Sequence, residues 1–255
     1  MASAQDITPP LTLEELVTVF RQDVDDLPGD TVNDVNWKND DTGLLWKNQE
    51  IVRYANQAVA EFVVRNPILD QDTKTAVTRI AVLAGTGLYA YDSRILSIRR
   101  MKFVDVNGDE HSVVKRTTDW MDRNVTDWDL EASPLEGTVC YYIEDTNHRR
   151  IQLYRTPELD GTLHMTVDRL PFEQMVWSKR HLMSPEIDPN HHLDLLDYMK
   201  YLGYRKRDAE TDDEKMSAAF LNTFTTNVGE RPSARLLRVR RQERNNKRRS
   251  VGQYF

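Results

Sequence analysis

Long apolar runs, cysteine and catalytic signatures are what this 255-residue chain has least of. No stretch approaches the roughly 20 apolar residues that a membrane-spanning helix needs, so no membrane partner is expected. The opening MASAQDITPP has neither the basic flank nor the apolar run of a secretory signal, and the expected compartment is the one in which the protein is made. The single cysteine, Cys140, has no second thiol in the chain to bond with. Set in the run TVCYYI, it is expected to be a buried, inert thiol, and a reducing cytoplasm fits. No nucleophile elbow, P-loop or HExxH occurs. The expectation is a protein that is not an enzyme and holds no cofactor and no metal.

Charge is present in quantity but unevenly placed. The chain carries 34 basic and 41 acidic residues, a net of −7. Residues 231–255 hold nine Arg or Lys against Glu243 alone, which is +8, so the other 230 residues carry −15. An acidic body argues against general nucleic-acid binding there, because neutralising phosphates requires a cationic surface. The basic tail is a separate matter.

The periodicity runs from helix to strand and back. Thr12 and Glu15 make a capping box ahead of Leu13, Leu16, Val17, Phe20 and Val24 at helical spacing. Residues 25–45 are polar, with Pro28-Gly29 and Asp40-Asp41 breaking any period, and read as a long loop of the kind that carries a job. A second helix starts near Asn48 and ends at Asn66, with Ile51, Ala55, Ala58, Val59 and Phe62 inside and Arg53, Gln57 and Glu61 outside. From about 75 to 170 the period is two. Asn107-Gly108 predicts a type I′ hairpin. Strands near 138–143, 150–155 and 162–169 are expected as a meander, reversing at Thr146-Asn147 and Asp160-Gly161, with short helical turns around Trp120 and Trp128. Two more helices follow over 192–206, with Leu193, Leu196, Met199 and Leu202 or Gly203 inward, and 214–228, with Met216, Phe220, Phe224 and Val228 inward. The reversal between them falls in 210–213, and Gly229 and Pro232 end the pair.

Two sets of residues invite an enzymatic reading. Gly85, Gly87 and Ala90 spell GxGxxA, but a dinucleotide loop needs a helix next, and LYAYDSRILSIRRM reads as strand. His181, Glu186, Asp188, His191, His192 and Asp194 offer ligand atoms, yet no HxxxH pair exists, and Pro185 and Pro189 bracket a turn, so Asn190 and the histidines are expected to cap the following helix.

Four segments carry a resemblance: LLWKNQEIVRYANQAVAEFVVRNPIL, AGTGLYAYDSRILSIRRM, IQLYRTPELDGTLHMTVDRLP and SPEIDPNHHLDLLDYMKYLGYRKRDAETDDEKMSAAFLNTFTTNVG. In that order they resemble the head-to-tail adaptor (connector) proteins of tailed bacteriophages. The resemblance implies an α+β fold, a helical bundle frame with an inserted antiparallel β-sheet domain and an extended C-terminal basic arm. The bounds are 1–66 for the N-terminal helices, 67–180 for the β domain, 181–229 for the C-terminal αα-hairpin and 230–255 for the arm. It further implies a structural virion protein at the head-tail interface, assembled in the host cytoplasm as a homo-oligomeric ring of about twelve copies. Its partners would be the portal protein, tail or nozzle proteins, and genomic DNA passing through the channel. Adaptors of this kind send a C-terminal arm onto the portal, which assigns docking to Arg235, Leu236, Leu237, Arg238, Val239, Arg240, Arg241, Arg244, Lys247, Arg248, Arg249, Val251, Tyr254 and Phe255. The same charge leaves a DNA-binding or packaging accessory role open, with the tail on phosphates.

Overall fold

Helix signals in the sequence translate directly into α1 (Leu13–Asp23) and α2 (Asn48–Arg65). Thr12 Oγ1 accepts the Glu15 N–H (3.3 Å) and the Glu15 carboxylate accepts the Thr12 N–H (2.8 Å), closing the box that starts α1. Leu13, Leu16, Val17 and Phe20 are then fully buried. On α2 the expected apolar face is buried and Arg53 and Gln57 are exposed, but Glu61 is buried too. The computed structural model describes residues 10–27, 35–71, 75–126, 128, 136–144, 149–206, 213–233 and 236. Pro28-Gly29, Thr146-Asn147 and most of the 210–213 reversal lie outside them. The described chain forms two compact units, one within Met1–Asn66 and Pro171–Pro232, the other within Pro67–Leu170 with Ser233 and Leu236.

In the first unit α4 (Asp194–Gly203) packs against α1, α2 and α5 (Glu214–Val228). Its core is not made by helix faces alone. Trp46, from the segment before α2, stands edge-on to Phe20 (5.7 Å) and Tyr204 (6.0 Å) and donates its indole N–H to the Gly203 carbonyl (3.3 Å). Trp37, also from that segment, is buried. The apolar sides of α4 and α5 differ from expectation: Leu195 is buried while Leu193 is exposed, and Met216 is exposed.

The second unit is a large sheet. Its strands are β1 (Ile68–Gln71), β2 (Arg79–Val82), β3 (Leu88–Ala90), β4 (Ile95–Asp105), β5 (Glu110–Arg116), β7 (Tyr141–Ile143), β8 (Arg150–Tyr154) and β10 (Gly161–Arg169); α3 (Thr118–Asn124) follows β5, and β6 (Glu136–Gly137) and β9 (Thr156–Pro157) pair separately. The order is β1-β10-β4-β5-β7-β8-β3, with β2 also on β10. Laid flat, the seven strands from β2 to β3 span about 29 Å at ~4.8 Å each. Residues 83–87, the only link between β2 and β3, reach about 21 Å fully extended. The sheet therefore curls on itself, a half-barrel.

These findings overturn the expected fold class. The protein is a mixed α/β chain dominated by an eight-stranded sheet, with five α-helices among the described residues that do not form a bundle framing it. The 7-residue α3 belongs to the sheet unit, and in the helical unit tryptophans from the segment before α2 pack against α1 and the end of α4. Nor is the sheet purely antiparallel. After β5 the chain crosses over through α3 and returns as β7 in the same direction, giving a parallel pair (Val114↔Tyr141). The meander holds for β7 and β8, which pair antiparallel, but not for its third strand: β10 leaves β8 and pairs with β4, β1 and β2. The 107–108 reversal is a hairpin, but only Gly108 takes positive φ there (+89°), so it is a three-residue loop with Gly108 in the left-handed position instead of type I′. Gly85 (φ +75°) turns the chain into strand β3, as read from the sequence. Cys140 is half-buried, its thiol donating to the Thr138 carbonyl (3.1 Å), so it is not the buried thiol expected.

Candidate docking arm and its root

A helix leaves its last carbonyls without intrahelical partners, and the way α5 solves this fixes where the C-terminal arm begins. Arg65 and Asn66, at the end of α2, supply the donors. Arg65 donates to the Gly229 carbonyl (2.5 Å) and to Thr225 Oγ1 (3.2 Å), and Asn66 Nδ2 donates to the Val228 carbonyl (3.0 Å). The guanidinium also lies over the Phe224 ring, 4.8 Å from its centroid. A cation at this helix end complements the dipole as well. Glu61, one turn earlier on α2, holds Arg65 at 3.0 Å and receives Arg231 at 3.4 Å. With the Glu61 and Arg65 side chains only 9% and 6% exposed, this pair is largely shielded from solvent.

Gly229 then turns the chain away at φ +97°. Of the docking residues assigned from the resemblance, Leu236 alone is described. It is 43% exposed, with its N–H on Ser233 Oγ (3.2 Å). Arg235, Leu237, Arg238, Val239, Arg240, Arg241, Arg244, Lys247, Arg248, Arg249, Val251, Tyr254 and Phe255 lie outside the described residues. Sequence reasoning missed Glu61, Arg65 and Asn66. The i,i+4 spacing of Glu61 and Arg65 was the available signal, and the expectation that Glu61 faces outward hid it.

A second polar centre lies inside the helical unit. Arg21, fully buried, pairs with Asp26 and donates to the Trp46 carbonyl (2.8 Å) and Asn48 Oδ1 (2.8 Å), with its guanidinium 5.2 Å from the Trp37 ring. Asp26 accepts the Leu45 N–H (2.8 Å), and Asn48 returns a hydrogen bond to the Trp37 carbonyl (3.0 Å). Asp41 accepts the Asn48 N–H at the start of α2 (2.6 Å). The described part of the polar 25–45 segment thus holds the entry to α2 in place.

The six candidate ligand residues are engaged separately. His181 meets Glu14 (2.6 Å), whose carboxylate also takes Arg180 (3.0 Å) and Lys38 (2.5 Å). Burial raises the Glu14 carboxyl, but the hydrogen bond and charge of Lys38, with His181 and Arg180, outweigh it and hold the group below its ordinary value. Glu186 accepts the Phe172 N–H (2.6 Å), Asp188 caps Asn190 (3.0 Å), and His191 pairs with Asp194 (2.8 Å). His192, 1% exposed, accepts the Leu11 N–H on Nδ1 (3.0 Å) with Nε2 near the Ile187 carbonyl (3.4 Å). Burial lowers its pKa despite the Ile187 and Pro185 carbonyls, which raise it.

Against known proteins, no curated sequence matches this chain. A family model described as SU10 adaptor protein matches residues 11–251. The match takes in every helix and strand described above and runs on into the arm. In agreement with the phage adaptor resemblance carried by the four segments, the chain belongs to the SU10 adaptor protein family.

Proposed function

We propose that this phage adaptor is a structural virion protein that forms a ring of about twelve copies, docks under the portal through residues 235–255, joins tail or nozzle proteins on its other face, and encloses the channel through which genomic DNA passes. The observation that carries this reading is the arm root. Arg65, Asn66 and Glu61 give a basic, aromatic-ended segment a fixed point of departure, and the family match extends through that segment to residue 251. Arginines pair with carboxylates of the partner and Tyr254 and Phe255 fill a pocket there, as in other recognition by extended segments. Deleting residues 234–255 keeps the root intact. The shortened chain is expected to stay folded and to lose retention on immobilised, DNA-free portal; equal retention would remove the arm as the anchor.

The +8 charge also favours a second reading, a packaging accessory that binds DNA through the arm. Salt separates the two. Binding through phosphates falls steeply, as a power of salt concentration, between low and physiological salt, whereas docking that buries aromatic surface persists.

A further inference from the structure

Three exposed aliphatic residues lie on connections that come together at one end of the curled sheet. Leu83 is 62% exposed, Val106 66% and Leu159 44%, and they come from three different connections. Asp160 gathers them: its carbonyl accepts the Val106 N–H (3.0 Å) and its carboxylate accepts the Ala84 N–H (2.8 Å). The ladders place Gly161 between Val82 and Asp105, so Leu83, Asp160 and Val106 form the next row beyond the sheet. Asp160, inside that row, and Asp109 and Glu158 beside it are exposed. Single exposed aliphatics are ordinary, but a patch of them rimmed by polar groups marks an interaction site. Carboxylates at the rim disfavour an anionic lipid surface and a nucleic acid. They favour an apolar segment studded with cations.

Residues 235–255 have that chemistry, with Leu236, Leu237 and Val239 set among Arg235, Arg238 and Arg240. We propose that the end of the curled sheet that carries Leu83, Val106 and Leu159 is a docking surface for this basic arm, occupied when no portal is present. The inference rests on the arm being a docking segment, and it adds a second, competing seat that shields the arm before assembly.

The test is site-specific photocrosslinking in the full-length chain, without portal. p-Benzoylphenylalanine replaces Val106 in one preparation and Leu159 in another, both exposed, and crosslinked peptides are mapped by mass spectrometry. Crosslinks to 235–255 are expected from both positions. Their yield should fall several-fold in the Asp109→Lys/Glu158→Lys background, and also in about 0.5 M salt, where screening shortens to a few ångströms; circular dichroism checks that each variant is folded. Crosslinks that avoid the arm, or a yield indifferent to the charge reversals, would overturn the proposal. Because portal is absent, this outcome is independent of the pull-down: an arm that binds portal but never meets the tip sinks only this inference.

Discussion

At the scale of single residues, the buried polar groups are the most consequential. Removing one member of the Arg21–Asp26 pair leaves an uncompensated charge among Phe20, Trp37 and Trp46, so Asp26→Ala should cost about 3–5 kcal/mol in chemical denaturation followed by tryptophan fluorescence. The double change Arg21→Met/Asp26→Leu, which removes both charges, should cost less than that single one. Gly161 is a steric requirement: a Cβ there would stand 2.4 Å from the Val104 carbonyl and 2.6 Å from the Phe103 ring. Gly161→Ala should lower stability by about 1–3 kcal/mol, read as a drop in melting temperature. His192 gives a pH dependence whose sign follows from its lowered pKa. The unfolded chain takes up the proton first, so stability is complete above the ordinary value of 6.5 and declines as pH falls through the folded value. Melting temperature should therefore fall between pH 7 and about 5, and less steeply in His192→Asn, which keeps an acceptor for Leu11. Arg21 did not stand out in the sequence, and His192 and Gly161 did so in other roles, as a capping residue and a turn. An arginine at position 21 of an amphipathic helix reads as solvated, and a glycine before a strand reads as a turn, because neither reading contains the partner that arrives from elsewhere in the chain.

At the scale of elements, what the sequence revealed depended on whether the information was local. The capping box of α1, the apolar face of α2 and the two long strands β4 and β10 were legible, since each is set by residues within one segment. Short α4 was less so: over ten residues a stripe through Leu193 and one through Leu195 are nearly equivalent by period, and the packing of α4 decided for Leu195. Strand order was illegible, because β10 finds β1 at a separation of about a hundred residues and no local pattern encodes that register. The arm was legible from its charge, whereas its root was not, since the root joins the ends of two helices distant in the chain. Loss of that clasp should act on the helix end: in Arg65→Ala, hydrogen exchange at Val228 and Gly229 should quicken and global stability fall by about 3 kcal/mol. Unchanged exchange at both amides would mean that α5 ends independently of α2.

At the scale of the whole molecule, two compact units meet different demands. The helical unit fixes the origin of the arm, and the sheet unit, with three of its connections meeting at one end, presents the exposed apolar row. Which strands wait for β10 has a further consequence during synthesis. On the ribosome, β1, β2 and β4 leave the exit tunnel long before their common partner, so each carries an unmatched row of amides and carbonyls until residue 169 has been made. The slow step of the sheet is then expected to be the arrival of a single late strand, and the nascent chain spends much of its elongation with aggregation-prone edges. Chains stalled just before Gly161 should partition into the insoluble fraction and associate with trigger-type chaperones, while chains stalled well past Arg169 should resist limited proteolysis across 67–170.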